Sequence, residues 1–164
     1  MNDLPANGII LSRLTVKPEW LDYNDHMNVA YYNAVFDLAI EDVKAAYGLT
    51  EAYRLANQRS TVALEAHITY QQEATLGDEL RIESRILETD GKRLHLCQAM
   101  YRDTTLLATQ ETLSLSFNLA TRRSCPFDPS LLARIEDLQR AQARVLKPGW
   151  IGRTIGLRSL KPTM

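Results

Sequence analysis

Residues 21–32, LDYNDHMNVAYY, set Asp22, Asn24, Asp25, His26 and Asn28 directly before an apolar run at helical spacing. From Asn28 onward, Val29, Tyr32, Phe36, Ala39, Ile40, Val43 and Tyr47 recur three and four positions apart, the period of an amphipathic helix. Gly48 stands where such a helix ends through a left-handed residue. Ala30, Ala34, Val35 and Leu38 are apolar and lie off that stripe. A helix this apolar around its circumference is expected to be covered on more than one side.

Upstream, residues 9–16 (IILSRLTV) read as a strand, and Pro18 ends it. Downstream, four segments alternate with period two. Residues 61–72 put Val62, Leu64, Ala66, Ile68 and Tyr70 on one face, with Glu65 and His67 opposite. Leu80, Ile82 and Ile86 share a face of the next segment, and Leu94, Leu96 and Met100 a face of the third. In the fourth, Leu107, Leu113, Leu115, Phe117 and Leu119 are expected together. One apolar and one polar face per strand describe an antiparallel sheet covered on a single side. The connections TLGDE, TDGK and RDTT are short, and Asp90-Gly91 is a strong hairpin signal. Asp128-Pro129 then reads as an N-cap followed by Pro at the first helical position, opening a helix that runs through Leu146. The tail carries Lys147, Arg153, Arg158 and Lys161 and no acid. The order is strand, long helix, four strands, terminal helix. A one-faced sheet and an apolar helix satisfy each other by wrapping together, which gives an α+β class.

The composition of the 164 residues sets limits on function. With 45% hydrophobic and 24% charged residues and a net charge of −1, nothing favours nucleic acid or a membrane surface as partner. No apolar run nears the roughly 20 residues of a membrane-spanning helix, and residues 1–10 lack a signal-peptide pattern, so a cytoplasmic location is expected. Cys97 and Cys125 have no metal-type spacing and are expected as reduced thiols. The three histidines, His26, His67 and His95, have no zinc spacing, and no metal is expected. His67 and His95 read as solvated or structural, Tyr32 as core, and Glu65 as a candidate second carboxylate.

A helix start needs one capping residue, because side-chain oxygens accept bonds from its orphan N–H groups. Asn28, or Asp25, meets that need and leaves the other polar residues unexplained. A helix N-terminus also carries partial positive charge and free donors. Aimed at a carbonyl, those donors hold the oxyanion of acyl transfer, and a neighbouring carboxylate attacks or deprotonates a water.

Asp22-Tyr23-Asn24-Asp25-His26-Met27-Asn28-Val29-Ala30-Tyr31-Tyr32, opening a long helix, resembles the signature of hotdog-fold acyl thioesterases, many of which read D-x-x-G-H-x-N-x-x-Y. Plant acyl-carrier-protein thioesterases have a similar D-x-N-x-H-V-N-N loop, matched by Asp22, Asn24, His26 and Asn28. The loop most resembles that of betainyl-CoA thioesterases of carnitine breakdown, D-Y-N-G-H-M-N. This chain departs at Asp25, where Gly is usual. The resemblance implies a hotdog fold, an antiparallel β-sheet wrapped around a long central helix with a C-terminal helix. It covers one domain over residues 1–164, with a core at about 9–146 and a basic tail at 147–164.

Position by position, it implies Asp22 as general base or nucleophile, Asn24 and His26 as its orienting partners, and backbone N–H groups at Asn28 and Val29 for the oxyanion. Trp20, Tyr23 and Tyr31 are candidates to line the acyl pocket, with Asp25 adding charge for a cationic acyl group. The implied substrate is a short or medium acyl-CoA, betainyl-CoA among them. Coenzyme A enters as part of the substrate, and no cofactor is implied. Free sheet edges and an uncovered helix N-terminus imply at least a homodimer. Two alternatives stay open: a hydratase or dehydratase on the same fold, and a non-catalytic acyl-binding protein.

Overall fold

The computed structural model describes residues 7–157. Arg158 and Lys161 of the basic tail lie outside the described residues. Strand β1 (Ile10–Thr15) leads through a 3-10 turn (Pro18–Trp20) and the polar loop into helix α1 (Val29–Tyr47). Asn28 caps α1, its side chain accepting from the Ala30 N–H at 3.0 Å, and Gly48 ends it at φ +96°. Tyr32, Val35, Phe36, Ala39, Val43 and Tyr47 form its buried face. Covering on several sides is not observed within the chain: Val29 is 58% and Leu38 52% exposed.

A short helix that the sequence reading did not contain, α2 (Glu51–Asn57), precedes β2 (Arg59–Tyr70). Strands β3 (Glu79–Thr89), β4 (Arg93–Arg102) and β5 (Thr105–Asn118) then follow as antiparallel hairpins. A two-residue strand, β6 (Arg123–Ser124), also unanticipated, pairs with β5. The sheet order is β1-β3-β4-β5-β2, so the 12-residue β2 forms one edge. The turns are as the sequence implies: Gly91 takes φ +82°, and the Asp90 carboxylate accepts from the Lys92 and Arg93 N–H groups.

Leu80, Ile82, Ile86, Leu94, Leu96 and Met100 are buried as expected. Gln98 shares their face and donates to the Phe36 carbonyl of α1 at 3.1 Å, which marks that face as the helix side. The expectation for β5 is overturned. Met100 pairs with Ala108 and Tyr101 with Leu106, so Leu107 is bulged out of the ladder. Past that bulge the phase changes, as a one-residue slip requires. Gln110, Thr112 and Ser114 pair with Gln98, Leu96 and Leu94 on the helix side and are buried, whereas Leu113, Leu115 and Phe117 lie on the outer face, partly exposed. A second bulge skips Leu64 in β2. Ala66, Ile68 and Tyr70 therefore keep the helix side, while Val62 pairs with Leu115 on the outer face. The amide oxygens of Gln98 and Gln110, cross-strand neighbours, are buried without a hydrogen-bond partner among the described residues.

Helix α3 (Pro129–Gln142) closes the core through Leu131, Ile135 and Leu138. It ends at Gln142 rather than Leu146. Asp128 occupies the N-cap position without making a cap bond; its carboxylate instead accepts from the Tyr53 hydroxyl at 2.5 Å and from Arg59 at 3.0 Å. Gln142 fastens α3 to the sheet, its amide oxygen accepting from the Ile86 N–H at 2.7 Å. His95 stands on the outer face between Glu88 and Glu111, at 3.4 and 3.0 Å. Burial pushes the Cys97 thiol up to about 12, so it is protonated at neutral pH. Neither cysteine is in a disulfide.

Candidate active site at the entry to helix α1

Residues 21–28 form a small hairpin of their own before the helix begins. Leu21 bridges Met27, the Asp22 N–H donates to the His26 carbonyl at 2.9 Å, and the Asp25 N–H donates to the Asp22 carbonyl at 3.1 Å. A turn of this kind closes with one residue in the left-handed region, and that residue is Asp25, at φ +60°. Gly is the residue best suited there, and Asp is one of the few others that adopts it readily. The departure from the Gly-containing loop is thus accommodated without a change of backbone shape.

The Asp22 carboxylate folds back on this turn, one oxygen accepting from the Asn24 N–H at 2.8 Å. The bond fixes the side chain and leaves the second oxygen uncommitted. Two further backbone bonds seat the hairpin: the Met27 N–H donates to the Ala74 carbonyl at 2.7 Å, and the Asn28 N–H to the Trp20 carbonyl at 2.8 Å. That last bond occupies one of the two N–H groups expected to face an oxyanion. Among the described residues the Val29 N–H has no acceptor, so in this chain it is the first-turn donor left open at the positive end of α1.

The His26 ring meets a carboxylate that the sequence reading did not single out: Nε2 lies 3.1 Å from Glu73 Oε2. Glu73 belongs to the connection between β2 and β3, which reads only as a polar turn. Its pairing with His26 depends on the bridge between His26 and Thr75, a tertiary contact with no local signal. The same connection is held by Asp78, whose carboxylate accepts from the Thr75 N–H at 2.8 Å and from Arg102 at 2.6 Å. Burial alone would raise the Asp78 pKa, but those hydrogen bonds and the guanidinium outweigh it and hold it below the ordinary carboxylate value.

The aromatic candidates separate. Trp20 is 7% exposed, stacks on Tyr31 at 5.8 Å between ring centroids, and has the Lys17 ammonium 5.4 Å from its ring centre. Tyr23 is 95% exposed at the hairpin tip. Tyr31 lies half-buried between them. Tyr32 is core, as expected, its hydroxyl accepting from the Ala74 N–H at 2.9 Å. Glu65 lies on the outer face of β2, on the side of the sheet away from α1, and His67 lies beside it opposite Glu111. Among the described residues, no cluster of three or more His, Cys, Asp or Glu is arranged to hold a metal, and no helix is long and apolar enough to cross a membrane.

Residues 16–135 match the family model of the thioesterase-like superfamily. The chain is 37% identical to a betainyl-CoA thioesterase from Pseudomonas aeruginosa, over 87% of this chain and 91% of that protein. It is 34% identical to an L-carnitine dehydrogenase/betainyl-CoA thioesterase from Ruegeria pomeroyi, over 93% of this chain but only 31% of that longer protein. Among solved structures it resembles a Staphylococcus aureus protein determined in complex with CoA. There the TM-score is 0.86 and the identity 30%, covering 92% of this chain and 96% of the other.

Proposed function

The chain belongs to the thioesterase-like superfamily, and from that premise we propose that it hydrolyses the thioester of betainyl-CoA to betaine and free coenzyme A. The observation that carries the reading is the hairpin that fixes the Asp22 carboxylate and runs directly into a helix whose Val29 N–H is open, in a chain 37% identical to a betainyl-CoA thioesterase. The helix N-terminus polarises the thioester carbonyl and stabilises the oxyanion. Asp22 either takes a proton from the attacking water, or adds to the carbonyl carbon to give a mixed anhydride that a water molecule then hydrolyses; on both routes the C–S bond breaks, the leaving thiolate of coenzyme A takes up a proton, and betaine leaves as its carboxylate. Asn24 holds Asp22 through its backbone N–H, and His26 orders the water. No metal or redox group has a step in this reaction.

A trimethylammonium group offers no N–H to a hydrogen-bond acceptor. It is recognised by ring faces and nearby negative charge, at roughly 0.5–2 kcal/mol per good contact. Tyr31 and Tyr23 supply the rings in this reading. Trp20 supports them from within the core, since Lys17 already lies against it. Asp25, exposed at the hairpin tip, supplies the negative charge.

The active unit is a homodimer in this reading. Strand β2 is a long free edge; Leu64 and Tyr70 on it are 52% and 49% exposed, and Leu38 and Val29 of α1 are 52% and 58% exposed. Edge-to-edge pairing of two β2 strands joins the sheets and brings partner residues over the helix N-terminus. The deciding experiment follows coenzyme A release with a thiol-detecting dye, comparing betainyl-CoA with 3,3-dimethylbutyryl-CoA, its neutral mimic. A preference of tenfold or more in kcat/KM, about 1.4 kcal/mol, is expected for the cation. Equal rates on the two would leave a general acyl-CoA thioesterase. Ligand binding without turnover would favour the acyl-binding alternative.

A further inference from the structure

The backbone of His26 is fixed on both sides, by the Asp22 N–H on its carbonyl and by the bridge to Thr75. Its side chain is not fixed by packing, being 41% exposed. Among the described residues, the polar group against the ring is the Glu73 carboxylate, 3.1 Å from Nε2. Glu73 itself comes from an anchored segment. Arg102 reaches its carbonyl at 3.5 Å, the next N–H donates to the Tyr32 hydroxyl at 2.9 Å, and Asp78 ties the Thr75 N–H to the Arg102 guanidinium. A carboxylate carried on an anchored backbone, facing a partly exposed imidazole, biases which way that imidazole points.

We propose that Glu73 is a positioning residue of the active site, which by accepting a hydrogen bond at Nε2 holds the His26 ring so that Nδ1 is presented to the reacting water. The inference rests on the thioesterase reading above, in which His26 orders that water. Because an imidazole has one donor and one acceptor nitrogen when neutral, a proton committed to Glu73 at Nε2 leaves Nδ1 as the acceptor. Among the described residues Nδ1 has no protein partner. A pair this exposed adds little to folding stability. Its effect is therefore on ring orientation, and the loss on removing it is modest.

The test compares Glu73→Ala, Glu73→Gln, His26→Ala and the double variant His26→Ala/Glu73→Ala in the intact protein. The readouts are kcat and KM on betainyl-CoA and the imidazole N–H resonances of histidine-labelled protein. Glu73→Ala is expected to lower kcat about fivefold with KM within about twofold, and to lose the protected His26 Nε2–H signal to solvent exchange. Glu73→Gln, which keeps an acceptor oxygen at the same reach, is expected to restore most of kcat and the signal. The double variant is expected to be no worse than His26→Ala alone, because both changes remove one interaction. A Glu73→Ala variant with wild-type kcat beside an impaired His26→Ala would overturn the proposal. So would losses that multiply in the double variant, or a Gln variant as poor as the Ala one. Full turnover by His26→Ala with the Nε2–H signal intact in the parent would instead refute the role of His26, a pattern distinct from the others.

Discussion

Replacing Asp22 with Asn separates a capping role from a chemical one, because the geometry lets the two effects be sized independently. The Asp22 carboxylate accepts one recorded bond, from the Asn24 N–H at 2.8 Å, and an Asn side-chain oxygen accepts the same bond. What folding loses is the difference between a charged and a neutral acceptor, about 1 kcal/mol. In a chain of 164 residues that lowers the melting temperature by about 2–4 °C. What turnover loses, if the carboxylate is base or nucleophile, is about 10²–10⁴ in kcat, or roughly 2.7–5.4 kcal/mol. Coenzyme A release followed with a thiol dye, beside calorimetric melting of the same samples, measures both. A variant that melts within about 4 °C of the parent and has lost a hundredfold or more in kcat is the expected result. Turnover within tenfold of the parent would refute the chemical role, and a variant that fails to fold would return Asp22 to the structural role of a turn residue.

Three further outcomes follow from the geometry. Asp25→Gly relieves a left-handed residue at φ +60° while adding chain entropy to the unfolded state, so urea stability is expected to be unchanged or to rise by up to about 1 kcal/mol. The preference for the cationic acyl group over its neutral mimic is expected to fall in the same variant. Leu64→Lys places a charge on the free β2 edge, and sedimentation is expected to show the proposed dimer giving way to monomer with loss of activity. Asp78 is held below its ordinary value of 3.8, so its contribution is present above that value and is lost as pH falls through the lower, folded one. Asp78→Asn is therefore expected to be less stable than the parent at pH 7, with the two urea midpoints converging below about pH 4.

The long helix was legible because its stripe, its Asn cap and its Gly stop agree with one another, and the observed span of Val29–Tyr47 follows from those signals. The hairpins were legible for the same reason. The faces of β5 were not. Leu107 and Leu113 are an even number of residues apart and so read as one face, but the bulge at Leu107 inverts the phase between them. Thr112 and Ser114 then take the buried side that hydrophobicity assigned to leucines. A bulge is a backbone event that side-chain alternation does not announce. At the candidate site, Asp22, Asn24, Asp25, His26 and Asn28 lie within one short stretch, so their gathering into one hairpin could be read. The pairing of His26 with Glu73 could not, since it depends on how the β2–β3 connection folds across the entry to α1.

The hairpin before α1 has a kinetic consequence. Opening it would break the bonds from Asp22 to His26, Met27 to Ala74 and Asn28 to Trp20, and the last of these sits one residue from the helix itself. A segment tied at its base, its middle and its exit does not swing as a lid does, on the microsecond-to-millisecond scale of loop gating. In the proposed reaction, substrate comes to a hairpin that is already assembled, and product leaves without waiting for that hairpin to move. Under that proposal, differences in turnover between acyl groups are expected to reflect chemistry and fit at this hairpin rather than the frequency with which it opens.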